Sequence, residues 1–534
     1  MASASQELEV SFENELTYHH YATNDRLEAF HEAYEDGLEE VRGWLGEFHP
    51  LRIGSESVES DRTFTVHSPG ELDLTVGEFT EADSGDVDRA VETAEEMTGA
   101  WQSTSVDERV EYFRSAADIM ADRKFSLAAL ITIENGKNRT EAIADVDEAI
   151  DFLRWYSDEF GRADGYVVDA GEPLPGEHCT NRLRPYGVFG VIAPFNFPLA
   201  ILTGMTTGTI ITGNTAVVKP GERTPLIAHA LLDIFETAGI PDGVVNLVTG
   251  RGSTTGQAIV DHPDVDGIVF TGSLAVGRSI QERFFELDKP GPVIAEMGGK
   301  NSVIVTETAD LDKAVDGISY GAFGFSGQKC SATSRVYAVE SEFETLRDRL
   351  IEEATAIPDH PPHHRDAVLS PVIDEDAIDR YDRICAEASS VGTVHTGGRR
   401  VEDSSLPRGR YVRPTVVTGV PHDHWLAREE HFLPFVTLHP VTDLDEALTK
   451  ANDSDFALCA GLFAEDEDEI DRWFDTIEAG MTYVNREQSA TTGALVGAQP
   501  FGGWKHSGTT AKFAGGRWYL PQFMREQSQT RVRR

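Results

Sequence analysis

Hydrophobic and polar residues alternate with two different periods along this chain, and each change of period marks a boundary. The first fifty or so residues are polar, with helical spacing from Leu27 to Phe48. An extended stretch follows, in which Phe64, Val66, Leu72, Leu74 and Val76 alternate with polar neighbours. From Val87 to Phe160 the period is helical throughout, in VDRAVETAEEMTGAWQ, VDERVEYFRSAADIMADR and TEAIADVDEAIDFLRWYSDEF. Ser105, ahead of Asp107 and Glu108, is the expected N-cap of the second of these.

From Arg184 to Gly299 short β-branched runs take turns with helical segments. The runs are VFGVIAP, TAVVKP, GVVNLV, DGIVFTG and PVIAEM, and helical spacing fills 199–211, 226–238, 255–260 and 276–286. The alternation repeats from Asn301 to Asn485 in NSVIV, SRVYAV, YVRPTVV, FVTLHPV, LCAGLFA and MTYVN. Such a pattern predicts parallel sheets with ligands at the carboxyl ends of their strands. The expected fold is α/β, with two doubly wound parallel-sheet domains and a site in the cleft between them. The expected boundaries are 1–161 with 182–297 for the first domain and 298–490 for the second. Residues 162–181, which include GYVVDAGEPLPGEHCTN, read as a β-hairpin with a Gly/Pro tip, and the tail within 507–534, YLPQFMREQSQTRV, reads as one more strand.

Composition narrows the class. The 534 residues leave room for two to four domains, and 40% hydrophobic content is that of a globular protein. Acidic residues number 91 against 46 basic ones, of which only ten are Lys, for a net charge of -45. The carboxylates are dispersed rather than blocked, which resembles a surface adapted to concentrated salt more than an acidic patch for a basic partner. It argues against nucleic acid as a partner. Cys179, Cys330, Cys385 and Cys459 form no CxxC pair, so neither a disulfide scaffold nor a zinc site is expected, and a reducing compartment is the default. No basic-then-apolar leader and no bilayer-length apolar run are visible, so a soluble cytoplasmic protein with no membrane partner is expected. His360, His363 and His364 in DHPPHHR lie between prolines without helical spacing, and read as a solvent loop rather than metal ligands.

The candidate nucleophile is Cys330, in GAFGFSGQKCSATSR at 321–335. It lies between the helical run 310–323 and the strand-like run 335–339, in a loop opened by Gly324, Ser326 and Gly327. A free Cys is more often inert filler. With a pKa near ~8.5 a thiol is only about 3% thiolate at pH 7, so reactivity requires a base or nearby positive dipoles.

The words around Cys330 resemble those of the aldehyde dehydrogenase superfamily. In order they are FNFP with Asn196, VVKP with Lys219, FTGS at 270–273, AEMGG with Glu296, GQKC with Cys330, EEHF with Glu430 and Phe432, and QPFGG at 499–503. Together they span about residues 150 to 530. The resemblance implies an NAD-dependent enzyme, with the first domain binding NAD and the second carrying the nucleophile. Attack by the Cys330 thiolate on an aldehyde makes a thiohemiacetal. Its oxyanion would be met by the Asn196 amide and the Cys330 N–H, each donor worth roughly 3 kcal/mol. Hydride loss leaves a thioester, and Glu296 is the candidate base for its hydrolysis, with an apolar setting expected to raise its pKa toward ~6. The plainer readings are a turn residue for Asn196 and a strand-end carboxylate for Glu296.

For the cofactor, GRGSTTG at 250–256 has GxGxxxG spacing and is read as a turn and helix start, not a dinucleotide fingerprint. FTGSLAVG suits the pyrophosphate better, with Gly272 and Ser273 at a helix N-terminus and Gly277 letting that helix lie close. Lys219 and Glu222 can bracket a ribose, and the carboxylate favours NAD over NADP; a surface ion pair is the alternative. The resemblance assigns Glu430 and Phe432 to the nicotinamide ribose and ring, with Leu433 standing where Gly is usual.

The substrate expectation rests on FGFSGQKCSATSR, on TTGALVGAQPFGG at 491–503 and on AKFAGGRWYL at 511–520. These resemble the branch that oxidises glutamate γ-semialdehyde in proline catabolism. The resemblance implies that Ser331, Gly493 and Ala494 anchor the α-carboxylate, that Glu148 meets the α-ammonium, and that Phe197 and Phe501 flank the aliphatic part. Glu148 reads equally well as the solvated face of an acidic helix, and the insert at 485–493 departs from shorter relatives. The hairpin and tail would form an arm that pairs with a second copy, giving a homo-oligomer built from dimers, and a separate proline dehydrogenase would carry out the preceding step. Two alternatives stay open: another carboxylated aldehyde, such as succinic semialdehyde, and a non-catalytic protein on the same fold, which the presence of Cys330, Glu296 and Asn196 disfavours.

Overall fold

The structure, a computed structural model, describes residues 12–402, 406–487 and 495–532. Gly493, Ala494 and most of the insert at 485–493 lie outside the described residues.

The first seven-stranded sheet runs in the order Val293–Met297, Gly267–Gly272, Val188–Ile192, Thr215–Lys219, Val245–Leu247, Leu51–Ile53 and Glu56–Val58. The five strands from the predicted runs are parallel, and the last two are an antiparallel hairpin from near the N-terminus. Strands Val188–Ile192 and Thr215–Lys219 are buried at every position because helices cover both faces, so they show no in-out alternation. From Val188–Ile192 the order proceeds to one side and then reverses to the other, which makes its carboxyl end the switch point where ligands bind. Asn196 and Phe197 follow directly there.

The second seven-stranded sheet has the order Thr393–Thr396, Thr415–Thr418, Phe435–Val441, Thr333–Val339, Asn301–Val305, Cys459–Phe463 and Met481–Val484. All six predicted runs are present and parallel. Thr393–Thr396 is an additional antiparallel edge strand that the pattern did not reveal. Only Gly298, Gly299 and Lys300 separate the last strand of one sheet from the first strand of the other.

Helices Ser84–Ser103, Val106–Asp122, Lys124–Asn135 and Arg139–Arg162 pack around the first sheet. Ser105 caps as expected: its hydroxyl accepts from the Glu108 N–H at 3.2 Å, and the Glu108 carboxylate accepts from the Ser105 N–H at 3.1 Å. Lys124–Asn135 is buried from Ser126 onward and so has no polar face for a helical period to reveal. The extended stretch is not one strand. It divides into Thr63–His67 and Thr75–Thr80, paired antiparallel. Leu72 and Leu74 fall in the connecting turn, where Leu72 N–H donates to the Arg408 carbonyl of the second domain.

The hairpin forms as Val167–Leu174 and Glu177–Pro185, and Met524–Val532 pairs along the whole second strand, from Met524 opposite Pro185 to Val532 opposite Glu177. The rest of the expected tail belongs elsewhere. Ser507 to Thr509 pair with the open edge of strand Val293–Met297, where Met297 N–H donates to the Ser507 carbonyl and Thr509 N–H donates to that of Ala295, and Leu520–Phe523 is a 3-10 turn. An edge strand has unpaired backbone groups, and the tail satisfies them. Among the described residues no helix is long and apolar enough to cross a membrane.

Candidate active site

Helix Leu311–Phe323 ends in a loop that delivers Cys330 to strand Thr333–Val339. Phe325, Ser326 and Gly327 have φ of +47°, +50° and +66°, a left-handed run that non-glycine residues adopt only at an energetic cost. Gly327 is required on a second count, because a Cβ there would overlap the Leu433 carbonyl. The run turns the half-buried Cys330 onto the wall of a cavity between the two sheets. Ser331, Glu148, Glu296, Phe197 and Phe501 share that wall. Phe152, Met205 and Tyr519 make most of the remaining surface apolar.

Asn196 is 2% exposed, in the loop between Val188–Ile192 and Ala200–Ile211. It is next to Phe197 but not itself on the cavity wall. Its side-chain amide has no hydrogen-bond partner among the described residues, and so it is free to donate.

Electrostatics in the cavity keep protons on. Burial raises the Glu296 carboxyl well above the ordinary carboxylate value, against one backbone N–H from Gly503 that lowers it. One of its oxygens, Oε2, is buried without a partner, and an unsatisfied acceptor of this kind is costly unless something arrives to use it. Burial also raises the Cys330 thiol, and the Glu430 and Glu296 carboxylates push it further up. Of the two sources of activation expected for Cys330, the surroundings supply no positive field, and the neighbouring Glu296 carboxyl itself tends to hold its proton.

A second region suits a dinucleotide. Lys219 is buried at the end of its strand with Nζ 2.7 Å from the Pro220 carbonyl and 3.4 Å from that of Gly250. Burial lowers its pKa to about 8, against the pull of Glu222. Glu222 lines an adjoining groove with Arg223, Gly250 and Arg251, so the charge at this end is mixed. Gly252–Gly256 forms a single π-helical turn that runs into helix Gln257–Asp261. Ser273 follows Gly272 at the N-terminus of helix Leu274–Glu286 and accepts from the Val276 N–H. A Cβ on Gly277 would come within 2.5 Å of the Met297 sulfur, so glycine there lets the helix lie against the sheet. Glu430 accepts from the Gly299 N–H at 3.0 Å, and burial raises its pKa to about 7. Phe432 has φ +59° and packs edge-on against Phe195. The left-handed residue in this stretch is thus Phe432, and Leu433 carries no such strain.

His360 and His364 stack at 4.1 Å and, with Asp366, bring one ligand atom each within 4.8 Å of the others. His364 Nδ1 accepts from the Asp366 N–H at 3.2 Å. This is the bonding of a turn.

Sequence reasoning missed Phe152 and Tyr519 on the cavity wall. Phe152 lies four residues beyond Glu148 on the same helix, a spacing that would have found it. It also missed a buried ion pair of Glu141 with Lys329 behind the nucleophile, and one of Lys137 with Asp145 beneath Phe197.

These features belong to a recognised class. The aldehyde dehydrogenase family pattern matches residues 57–528, and the chain belongs to that family. It is 36% identical over 516 residues to 1-pyrroline-5-carboxylate dehydrogenase of Bacillus mycoides, covering 96% of this chain and 98% of the relative. Its fold is similar to 1-pyrroline-5-carboxylate dehydrogenase from Thermus with bound NAD, with TM-score 0.91, 34% identity and coverage of 98% and 99%. It is also similar to proline utilization A from Bdellovibrio bacteriovorus, with TM-score 0.90 and 36% identity, but spans only 53% of that longer chain.

Proposed function

We infer that this chain oxidises L-glutamate γ-semialdehyde, in equilibrium with 1-pyrroline-5-carboxylate, to L-glutamate with NAD. The observation that carries the reading is one cavity wall shared by a nucleophile (Cys330), a base (Glu296), a hydroxyl (Ser331) and a carboxylate (Glu148). The named relatives support the same substrate.

Glu296 takes the Cys330 proton, and the thiolate sulfur bonds to the aldehyde carbon. The Asn196 amide and the Cys330 N–H donate to the oxyanion. Bound NAD supplies the acceptor for the hydride that leaves this carbon. A thioester remains; Glu296 gives its first proton to solvent and, as a carboxylate again, removes one from the water that attacks the thioester, and that proton returns to the departing Cys330 sulfur as the product acid leaves and ionises. Lys219 and Glu222 would hold one ribose, the amides at Gly272 and Ser273 the pyrophosphate, with Gly277 keeping their helix close. Glu430 and Phe432 would hold the nicotinamide end. The fit is supported by an ammonium on Lys219 bonded only to carbonyls, and by a helix N-terminus whose amides suit an anion. Ser331 donates to the substrate α-carboxylate, Glu148 accepts from its ammonium, and Phe197 and Phe501 enclose the chain between. Gly493 and Ala494 would complete the carboxylate anchor.

The arm strand Val167–Leu174 has a free edge with Val168 and Leu174 more than half exposed, which supports pairing with a second copy in a cytoplasmic homodimer. A separate proline-oxidising protein would deliver the substrate.

The test is NADH formation with glutamate γ-semialdehyde and succinic semialdehyde, for the parent chain and for Glu148→Gln. A hydrogen-bonded charge is worth roughly 1.5–3 kcal/mol, so Glu148→Gln should raise KM for the amino substrate about ten-fold or more and leave succinic semialdehyde unaffected. Equal use of both aldehydes by the parent overturns the substrate assignment, and turnover by Cys330→Ser at the parent rate overturns the mechanism.

A further inference from the structure

The left-handed run before Cys330 needs something to hold it, and what holds it comes from the other domain. Glu141, in the first turn of helix Arg139–Arg162, accepts from the Lys329 ammonium at 2.6 Å through Oε1 and from the Phe325 N–H at 3.0 Å through Oε2. Phe325 opens the run, and Lys329 is the residue before the nucleophile. One carboxylate therefore grips both ends of the segment that aims the thiol. Both side chains are almost completely buried, at 6% and 2%. On its far side the loop is tied to residues 370–373: Gln328 Nε2 donates to the Pro371 carbonyl at 3.0 Å, and Ile373 N–H donates to Gln328 Oε1 at 2.9 Å.

Four residues along the same helix, Asp145 does the equivalent for the other domain's contribution. It accepts from the Lys137 ammonium at 2.8 Å and from the Ala200 N–H at 2.7 Å. Ala200 begins the helix after Asn196 and Phe197, and Lys137 Nζ lies 3.5 Å from the centroid of the Phe197 ring. Glu148 and Phe152, on the cavity wall, continue the stripe. Residues 141, 145, 148 and 152 follow i, i+4, i+7 and i+11 spacing and share one helix face. A single rigid element thus references the nucleophile loop, the Asn196 segment and the substrate cavity to one another.

We propose that Glu141 is a positioning residue for the nucleophile, acting through Lys329 and the Phe325 amide to fix the Cys330 loop against the Asn196 side of the cleft. The proposal rests on Cys330 being the nucleophile. A buried ion pair is a poor source of stability, since packed apolar groups of the same volume hold a fold as well. A pair of hydrogen-bonded charges does fix orientation, and misplacement of about 1 Å at a reacting group slows turnover roughly 100-fold.

The test compares Glu141→Ala with the double variant Glu141→Gln/Lys329→Met, which leaves no unpaired buried charge. Three quantities are read: melting temperature, kcat and KM for the aldehyde at saturating NAD, and the rate of iodoacetamide alkylation of Cys330 without substrate, resolved by peptide mass from Cys179, Cys385 and Cys459. The double variant should melt close to the parent, keep the parent KM, lose about 100-fold in kcat and alkylate at an altered rate. A double variant that melts, turns over and alkylates like the parent overturns the proposal, and it decides the matter even where Glu141→Ala does not fold. If the parent oxidises no aldehyde, the functional reading fails, and the alkylation rates still test the grip on the loop.

Discussion

Two acidic helices of this chain look alike as strings of letters and do opposite things. Glu467–Thr476, EDEIDRWFDT, is an outer helix on which Trp473 is the one buried residue. Arg139–Arg162 also has an acidic residue every few positions, yet Glu141, Asp145, Asp147, Asp151 and Glu159 are all buried. Glu134 joins them. The difference is what each carboxylate meets. Those of Glu467–Thr476 face water, apart from Glu469, which accepts from Thr306 and Thr308. Those of Arg139–Arg162 meet specific donors: Lys329 and Phe325, Lys137 and Ala200, Thr17, and Asn14 with Glu15. An acidic composition therefore conceals two populations, one that keeps the protein solvated and one that assembles the site.

The sharpest way to break this distinction is to neutralise a buried acid at the chemistry. With Glu296 as the proposed base, Glu296→Gln keeps the shape and removes that group, so kcat should fall by about 1,000-fold, within the usual 10²–10⁴ for a general base. In the parent, Glu296 and Cys330 both hold their protons above their ordinary pKa values. Both lose them as pH rises, so the rate should climb toward alkaline pH. A pH–rate profile that is flat from the ordinary carboxylate range upward would show that neither group limits the reaction.

A smaller effect is expected where buried acids hold structure. Asp147 accepts from the Thr17 N–H and hydroxyl at 2.8 and 2.7 Å, and Asp151 accepts from Asn14 and from the Glu15 N–H. Burial raises both to about 7. In the unfolded chain they titrate near 3.8, so the folded chain binds more protons between roughly pH 4 and 7, and stability falls as pH rises through that window. Amide exchange of residues 14–17, corrected for its intrinsic pH dependence, should therefore be slower at pH 5.5 than at pH 8. Asp147→Asn with Asp151→Asn should abolish the difference, and its persistence in that variant would assign the effect to overall charge repulsion.

The two populations also explain what was legible in the sequence. The parallel strands could be read because β-branched runs such as TAVVKP are bounded by Pro and Gly, and the Ser105 cap because it is local. Cys330, Glu296, Asn196 and Lys219 were singled out because each sits in a word of several letters shared with the resemblance, and the structure places Cys330 and Glu296 on one cavity wall. Burial of Glu141 could not, because it depends on donors 184 and 188 residues away. The solvated-face reading of Glu148 came from the same limitation, since period alone does not say which side of an acidic helix meets water. The pairing of Ser507 to Thr509 with the open sheet edge was not legible because nothing in those residues announces the edge, and Thr393–Thr396 was not because an edge strand needs no apolar run.

The smallest predicted effect completes the comparison. Glu467, Asp468 and Asp471 lie exposed on the outer helix and form no ion pair among the described residues. Exposed substitutions away from special features change stability by less than about 0.5 kcal/mol. Glu467→Gln with Asp471→Asn should leave kcat and KM at their parent values and shift the melting temperature only slightly. With two like charges removed from a chain of net charge -45, any shift at low salt should be upward and should disappear as ions screen the remaining repulsion. A marked loss of stability at every salt concentration would mean that these carboxylates have partners of their own, and the division between solvating and assembling acids would have to be redrawn.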